Sequence, residues 1–172
     1  IEHPAAREIL KKYQISTGVE IHYDGDLPAR SGMGSSSAFS VGLINAISAY
    51  TGLSRSKIDL AQEAIDIEQN VLGERVGSQD QVNAAYGGLN HILFHPGGEI
   101  EVREVDISDN RRRELKDNLM LFYTGIMRTA ETVASSYLEN LVEQRERLTR
   151  MSQFVDEALD IVSGDRDLRS FG

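Results

Sequence analysis

The sequence predicts an α+β protein, and three observations lead to this fold class. Residues 35–50 are mostly small or apolar, which is typical of a buried helix. Residues 18–23 alternate apolar and polar side chains, which indicates a half-buried strand. Residues 89–94 and 100–107 have strand-like patterns and flank His-Pro-Gly-Gly at 95–98, a turn signal that predicts an antiparallel hairpin.

The first part of the chain is predicted to be mainly helical. Residues 3–13 carry apolar side chains at helical spacing and predict an amphipathic first helix. Beyond the buried helix, Ser54 or Ser56 is the expected cap of a further helix. Residues 73–82 are expected to form a loop that passes into a short helix, which a pair of glycines ends.

The pattern changes near residue 108, where we expect a domain boundary between residues 1–108 and residues 109–172. The three consecutive arginines at 111–113 are expected to lie in a solvated, polar linker at this boundary. Three elements are predicted in the second domain: a buried strand at 119–124 and helices at 128–148 and 150–163.

The composition narrows the classes of partner. The chain of 172 residues has 18 basic and 27 acidic residues and a net charge of -9, so nucleic acid and anionic lipid are not expected partners. It contains no cysteine, which excludes disulfides and thiolate metal sites and fits a reducing cytoplasm. No stretch approaches the roughly 20 apolar residues of a membrane helix. Homo-oligomerisation stays open.

Residues 28–38 read Pro-Ala-Arg-Ser-Gly-Met-Gly-Ser-Ser-Ser-Ala and join the predicted strand to the buried helix. Glycines that allow close backbone approach, followed by a helix N-terminus, form a natural cradle for phosphate. A tight turn capped by Ser35 or Ser36 would show the same pattern. The loop lacks the lysine of a Walker motif, and Ser37 stands where a dinucleotide fingerprint needs its third glycine.

Two acidic residues favour the cradle over the turn. Glu68 lies near the end of a predicted helix, and Asp80 follows it by twelve residues within Gly-Ser-Gln-Asp-Gln. Phosphoryl transfer from ATP needs a phosphate cradle, a magnesium site and a group that orients or deprotonates the acceptor hydroxyl. Magnesium takes few protein ligands, so Glu68 and a loop hydroxyl would suffice, while Asp80 could accept the alcohol proton.

Residues 28–38 resemble the second motif of the GHMP small-molecule kinases, with methionine at 33 for the commoner leucine and serine at 37 for the commoner alanine. The resemblance implies roles for the matching positions. Ser36 and Glu68 would contact Mg²⁺, and Asp80 would act as the base. The ATP phosphates would be held by the loop, namely by Ser31, Gly32, Met33, Gly34, Ser35, Ser36 and Ser37.

Within the family, the stretches 67–69, 80–90 and 121–130 are most similar to bacterial sugar kinases, above all to D-glycero-D-manno-heptose phosphate kinases. The resemblance implies a ribosomal-protein-like N-terminal domain with a mixed sheet and helices, then the beginning of a ferredoxin-like C-terminal domain. The first and third family motifs do not occur in this sequence. We therefore expect a fragment that has no turnover by itself, with both domains incomplete.

Several alternatives stay open at this point. A fucokinase or galactokinase relative would share the same loop and acidic residues. A non-catalytic phosphate- or nucleotide-binding module would keep only the cradle. Arg128 follows the sequence Tyr-Thr-Gly-Ile-Met and would suit bidentate contact with a sugar phosphate, or it could form a surface ion pair with Glu131 or Asp80.

Overall fold

The computed structural model describes residues 1–16, 18–25, 32–123, 125 and 144–172. The described residues divide into two compact units. The first comprises those up to Gly87, together with Gly125, and the second comprises those from Gly88 onwards without Gly125. The predicted boundary after residue 108 concerns family domains rather than compact units, and it stays a prediction.

The first unit is helical, as its sequence periodicity predicts. Its elements are α1 (Pro4–Lys12), α2 (Ser35–Tyr50), α3 (Lys57–Asp66), a π-helical turn (Ile67–Val71) and α4 (Gln79–Tyr86). Of the two predicted caps, Ser56 begins α3: its hydroxyl accepts the Asp59 N–H, and the Asp59 carboxylate accepts the Ser56 N–H. These bonds from Ser56 hold the pKa of Asp59 below its usual range, so acid that protonates Asp59 weakens the cap.

The core of this unit lies between α1, α2 and α3. Ile9 of α1 and Ile44 of α2 are fully buried, and Leu60 and Ala64 of α3 complete the cluster. Helix α2 contacts α1, α3 and α4 and buries half of its residues, so the burial predicted from its apolar sequence is confirmed for one side of the helix. The N-terminus of α2 and the segment after α3 are thereby held within one unit.

The strand predicted at residues 18–23 is wrong for the part of the chain that the structure describes. These residues are not in a strand. Val19 packs against the core and the Tyr23 ring makes an edge contact with Phe39, but Ile21 and most of the Tyr23 side chain are exposed. A strand is stabilised by hydrogen bonds to a neighbouring strand. The alternating pattern indicates a half-buried segment, but it does not show whether a neighbouring strand is present to pair with it.

The second unit begins with the predicted hairpin. Strand β1 (Asn90–Phe94) pairs antiparallel with β2 (Ile100–Glu104), in a register that places Ile92 opposite Val102. The connecting turn uses Gly98 at a φ of 86°, and its N–H donates to the His95 carbonyl. Two helices, α5 (Asp109–Asp117) and α6 (Arg145–Ser163), and a final 3₁₀ turn (Leu168–Phe171) complete the described elements. None of the helices in the described ranges has the length and apolar character to cross a membrane.

The buried strand predicted at 119–124 is also wrong over its described residues. Residues 119–123 form no strand, and their side chains are exposed, with Phe122 at 77%. Residue 124 and the helix predicted at 128–148, up to residue 143, lie outside the described residues. The helix predicted at 150–163 is present, but it begins at Arg145, so the predicted break near residue 149 is wrong. An apolar run indicates side chains that can be buried, but it forms a strand only where a neighbouring strand supplies the hydrogen bonds.

Arg111 is not part of a solvated linker. It lies on α5, and its guanidinium donates to the carbonyls of Ile161 (2.7 Å), Val162 (3.3 Å) and Arg166 (2.5 Å). The first two carbonyls belong to the last turn of α6, where helix geometry leaves carbonyls without intrahelical donors. A cation there also complements the helix dipole. The arginine run therefore contains one structural residue and two exposed neighbours.

Arg111→Ala is expected to destabilise the second unit by about 2 kcal/mol, because it removes charged donors from several partly buried carbonyls. Arg112→Ala is the matched control, since Arg112 is exposed on the same helix. Urea denaturation gives the free energy of unfolding of both variants, and hydrogen exchange measures the protection of the last turn of α6. Equal stability of the two variants would contradict a structural role for Arg111.

Candidate active site

The glycine loop ends at the N-terminus of α2, as the cradle hypothesis requires. Gly32 and Gly34 have φ values of 76° and 69°, a backbone region that glycine enters without strain. The first intrahelical bond joins the Ala38 N–H to the Gly34 carbonyl at 2.9 Å. The N–H groups of residues 35–37 precede that bond and occupy the positive end of the helix dipole.

Glu68 lies on the π-helical turn that follows α3 and reaches the first turn of α2. Its side chain is buried, with 2% exposure. Carboxylate Oε2 accepts hydrogen bonds from the Ser37 hydroxyl at 3.0 Å and from the Gln81 amide nitrogen at 2.6 Å. The other oxygen, Oε1, is buried and has no hydrogen-bond partner among the described residues. A π-helical turn inside an α-helical region is frequently found at functional sites.

Asp80 reaches the same end of α2 from a different element. It lies in the first turn of α4, and its side chain is exposed. A Cβ built on Gly34 would lie 3.1 Å from Asp80 Cγ and 3.2 Å from Oδ2, which places the carboxylate against the Gly34 backbone. The two predicted acidic residues therefore both lie at the beginning of α2.

The loop between the π-helical turn and α4 is held by Gln69. Its amide nitrogen donates to the Val76 carbonyl at 2.9 Å and to the Ser78 hydroxyl at 3.1 Å. Ser78 immediately precedes α4, so these bonds tie the start of that helix to the turn that carries Glu68. Gln69 thereby fixes the relative position of the two elements that bear the carboxylates.

The residues at this site fit a magnesium ion. A buried carboxylate oxygen without a donor is the kind of ligand that a divalent cation satisfies, and Glu68 Oε1 is such an atom. Among the described residues, no group of three or more His, Cys, Asp or Glu side chains is arranged to hold a metal. Magnesium is commonly bound through one or two carboxylates, with water and phosphate oxygens completing its shell, so one buried glutamate is compatible with it.

The remaining predicted residues are distributed as follows. Gly32, Met33 and Ser36 are exposed on the loop and first helical turn, and Met33 is 50% exposed. Ser37, predicted only as a phosphate-loop residue, bonds to Glu68. The role of Ser36 in binding Mg²⁺ stays a prediction. Ser31 and Arg128 lie outside the described residues.

Sequence reasoning missed Gln81 and Gln69. Consecutive residues of a helix point about 100° apart, so Asp80 and Gln81 face different surroundings. Asp80 reaches the open end of α2, while Gln81 points inward and is 1% exposed. The available signal was a glutamine next to the proposed base on a predicted helix, but periodicity alone does not identify its partner.

Comparison with known proteins identifies the family. The model of the GHMP kinases N terminal domain matches residues 2–88, which include the glycine loop, Glu68 and Asp80. The chain belongs to the GHMP kinases. This match also supports the α+β class, since the described residues contain the helices of the first unit and, in the second unit, a small antiparallel sheet of β1 and β2.

Several GHMP kinases are similar to this chain. D-glycero-alpha-D-manno-heptose 7-phosphate kinase of Campylobacter jejuni is 33% identical over 66% of the chain and 33% of its own length. The L-fucokinase/L-fucose-1-P guanylyltransferase of Bacteroides fragilis is 27% identical over 94% of the chain and 17% of its own. A galactokinase of Thermosipho africanus is 34% identical over 51% of the chain and 25% of its own.

A solved structure is also similar. The crystal structure of a D-glycero-D-manno-heptose 1-phosphate kinase from Bacteroides thetaiotaomicron matches with a TM-score of 0.60 and 25% identity, over 81% of this chain and 47% of that one. The chain thus spans less than half the length of these relatives. The predicted resemblance to the GHMP sugar kinases, including heptose phosphate kinases, is therefore confirmed at the level of the family.

Proposed function

We propose that the full-length protein transfers the γ-phosphoryl group of ATP to a hydroxyl of a sugar or sugar phosphate, with a heptose phosphate as the first-choice substrate. One observation carries this proposal. Two carboxylates from different elements lie at the glycine-bounded N-terminus of α2, one buried with an unpaired oxygen and the other exposed. This pairing supplies a cation ligand and a proton acceptor at the same helix N-terminus.

The burial of each carboxylate suits its proposed role. Glu68 is shielded from water, and its two hydrogen-bond donors, Ser37 and Gln81, carry no positive charge that would compete with a cation. The amides of residues 31–37 would hold the phosphates. The hydroxyl of Ser36 would be a second protein ligand of the cation. ATP supplies the phosphoryl group, and Mg²⁺ offsets the charge on its phosphates.

Asp80 is proposed to orient the acceptor alcohol and to receive its proton. Its exposed carboxylate is accessible to a second substrate, while its contact with Gly34 keeps it beside the phosphate loop. In the transfer, the bond between the γ-phosphorus and the bridging oxygen breaks, and the alcohol oxygen forms the new bond to phosphorus. The alcohol proton passes to Asp80, and ADP leaves with the electron pair of the broken bond.

The substrate class rests on the named relatives. One relative is named a heptose 7-phosphate kinase, and the similar solved structure is a heptose 1-phosphate kinase. We extend a sugar phosphate substrate to this chain on that basis, with Arg128 as the proposed contact for the substrate phosphate. Galactose and fucose are the alternatives, because relatives named for those sugars also match.

A coupled assay of ADP release by the full-length protein tests this proposal. Heptose phosphates, galactose, fucose and unrelated sugars are compared at saturating Mg·ATP. The expected result is ADP release above the no-sugar rate with a sugar phosphate, and highest with a heptose phosphate. Nucleotide binding without ADP release for any sugar would instead support the non-catalytic binding module and overturn the kinase proposal.

A further inference from the structure

The side chain of Gln81 is a buried polar group with only half of its hydrogen-bonding capacity used. It is 1% exposed on α4, and its amide nitrogen donates to Glu68 Oε2 at 2.6 Å. Its amide oxygen is buried and without a hydrogen-bond partner in the described part of the chain. An unsatisfied buried acceptor costs about 1–3 kcal/mol, so a leucine or methionine would pack here at lower cost.

The bond to Glu68 accounts for the glutamine. An ionised carboxylate only accepts hydrogen bonds, so the amide nitrogen must be the atom that faces Oε2. The Ser37 hydroxyl donates to the same oxygen from α2. Two donors from two helices therefore converge on Oε2 and restrain the carboxylate torsion, while Oε1 receives no donor among the residues described.

We propose that Gln81 and Ser37 are positioning residues that occupy one oxygen of Glu68 and thereby present the other, Oε1, to the divalent cation. Both donors are neutral, so they orient Glu68 without cancelling the charge that attracts a cation. An arginine or lysine at either position would neutralise Glu68. This inference rests on the proposed function, because it assigns the purpose of Glu68 to metal binding.

Gln81→Met tests the inference, since methionine is similar in size but lacks the amide donor. Gln79→Met, at an exposed position of the same helix, is the matched control. The readout is the dissociation constant of Mn²⁺ in the presence of a non-hydrolysable ATP analogue, measured by electron paramagnetic resonance on the full-length protein. Loss of a group that orients a metal ligand commonly weakens metal affinity 10- to 100-fold, so Gln81→Met is expected to weaken Mn²⁺ binding by about 10-fold or more.

A second variant, Ser37→Ala, keeps the inference falsifiable. Ser37→Ala is expected to weaken Mn²⁺ binding less than Gln81→Met does, because Gln81 forms the shorter hydrogen bond to Glu68. If Gln81→Met does not fold, Ser37→Ala tests the inference in its place. Affinity of Gln81→Met for the ATP analogue without metal is expected to stay unchanged, because this substitution leaves the phosphate loop intact. If both variants bind Mn²⁺ as Gln79→Met does, and only their melting temperatures fall, these residues are structural and the inference is overturned.

Glu68→Gln separates this inference from the proposed function. Weakened Mn²⁺ binding in Glu68→Gln, with no change in Gln81→Met and Ser37→Ala, would overturn only the positioning role. Unchanged Mn²⁺ binding in Glu68→Gln would remove Glu68 from the metal site, and the proposed function would fail at that point together with the inference.

Discussion

Asp80→Asn is expected to lower kcat by about 10³-fold in the full-length protein, which is within the usual contribution of a general base. Asparagine has nearly the same shape as aspartate but does not accept a proton from an alcohol. The fold is expected to be retained, because Asp80 is exposed and its carboxylate contacts the Gly34 backbone rather than a core group. Binding of ATP is expected to persist, since the loop and Glu68 are unchanged.

Asp106→Asn is the matched control for this variant. It changes the net charge by the same amount at an exposed position in the second unit. Steady-state ADP release gives kcat, and fluorescence titration with a nucleotide analogue gives ATP affinity. Turnover by Asp80→Asn at the rate of the control would remove Asp80 from the mechanism and leave the acidic pair without a proton acceptor.

Gly34→Ala is expected to destabilise the first unit by about 2–3 kcal/mol and to weaken nucleotide binding, since it acts on both the backbone and Asp80. Its φ of 69° is unfavourable for alanine, and the new Cβ would lie 3.1 Å from Asp80 Cγ. Either the loop or the Asp80 carboxylate must move to relieve this contact. Urea denaturation and nucleotide titration measure the two effects.

Gly32→Ala separates the two causes. Gly32 has a similar φ of 76° in the same loop, but a Cβ there would meet nothing within 4 Å among the described residues. We expect this variant to cost only the backbone strain, about 1 kcal/mol. Adding Asp80→Ala to Gly34→Ala should recover part of the lost stability, because it removes Asp80 Cγ and Oδ2. If the two glycine variants lose equal stability, and Asp80→Ala restores none of it, the Cβ added at position 34 does not clash with Asp80.

Local patterns in the sequence predict the helices well because helical hydrogen bonds and caps are formed between residues close in sequence. The periodicity at 3–13, the capping serine at 56 and the Pro-Gly-Gly turn at 96–98 all correspond to observed elements. The strands predicted at 18–23 and 119–124 are wrong over their described residues, since a strand depends on a distant partner. Arg111 is misjudged for the same reason, because its carbonyl partners follow it by about fifty residues.

The sequence by itself determined the family, the glycine loop and the two acidic positions, because these are properties of residue type and spacing along the chain. Only the tertiary structure decided which side chains meet. It placed Asp80 against Gly34, paired Glu68 with Ser37 and Gln81, and left one buried carboxylate oxygen of Glu68 without a partner among the described residues. Those contacts depend on how α2, α4 and the π-helical turn pack, and packing joins residues that no local pattern connects.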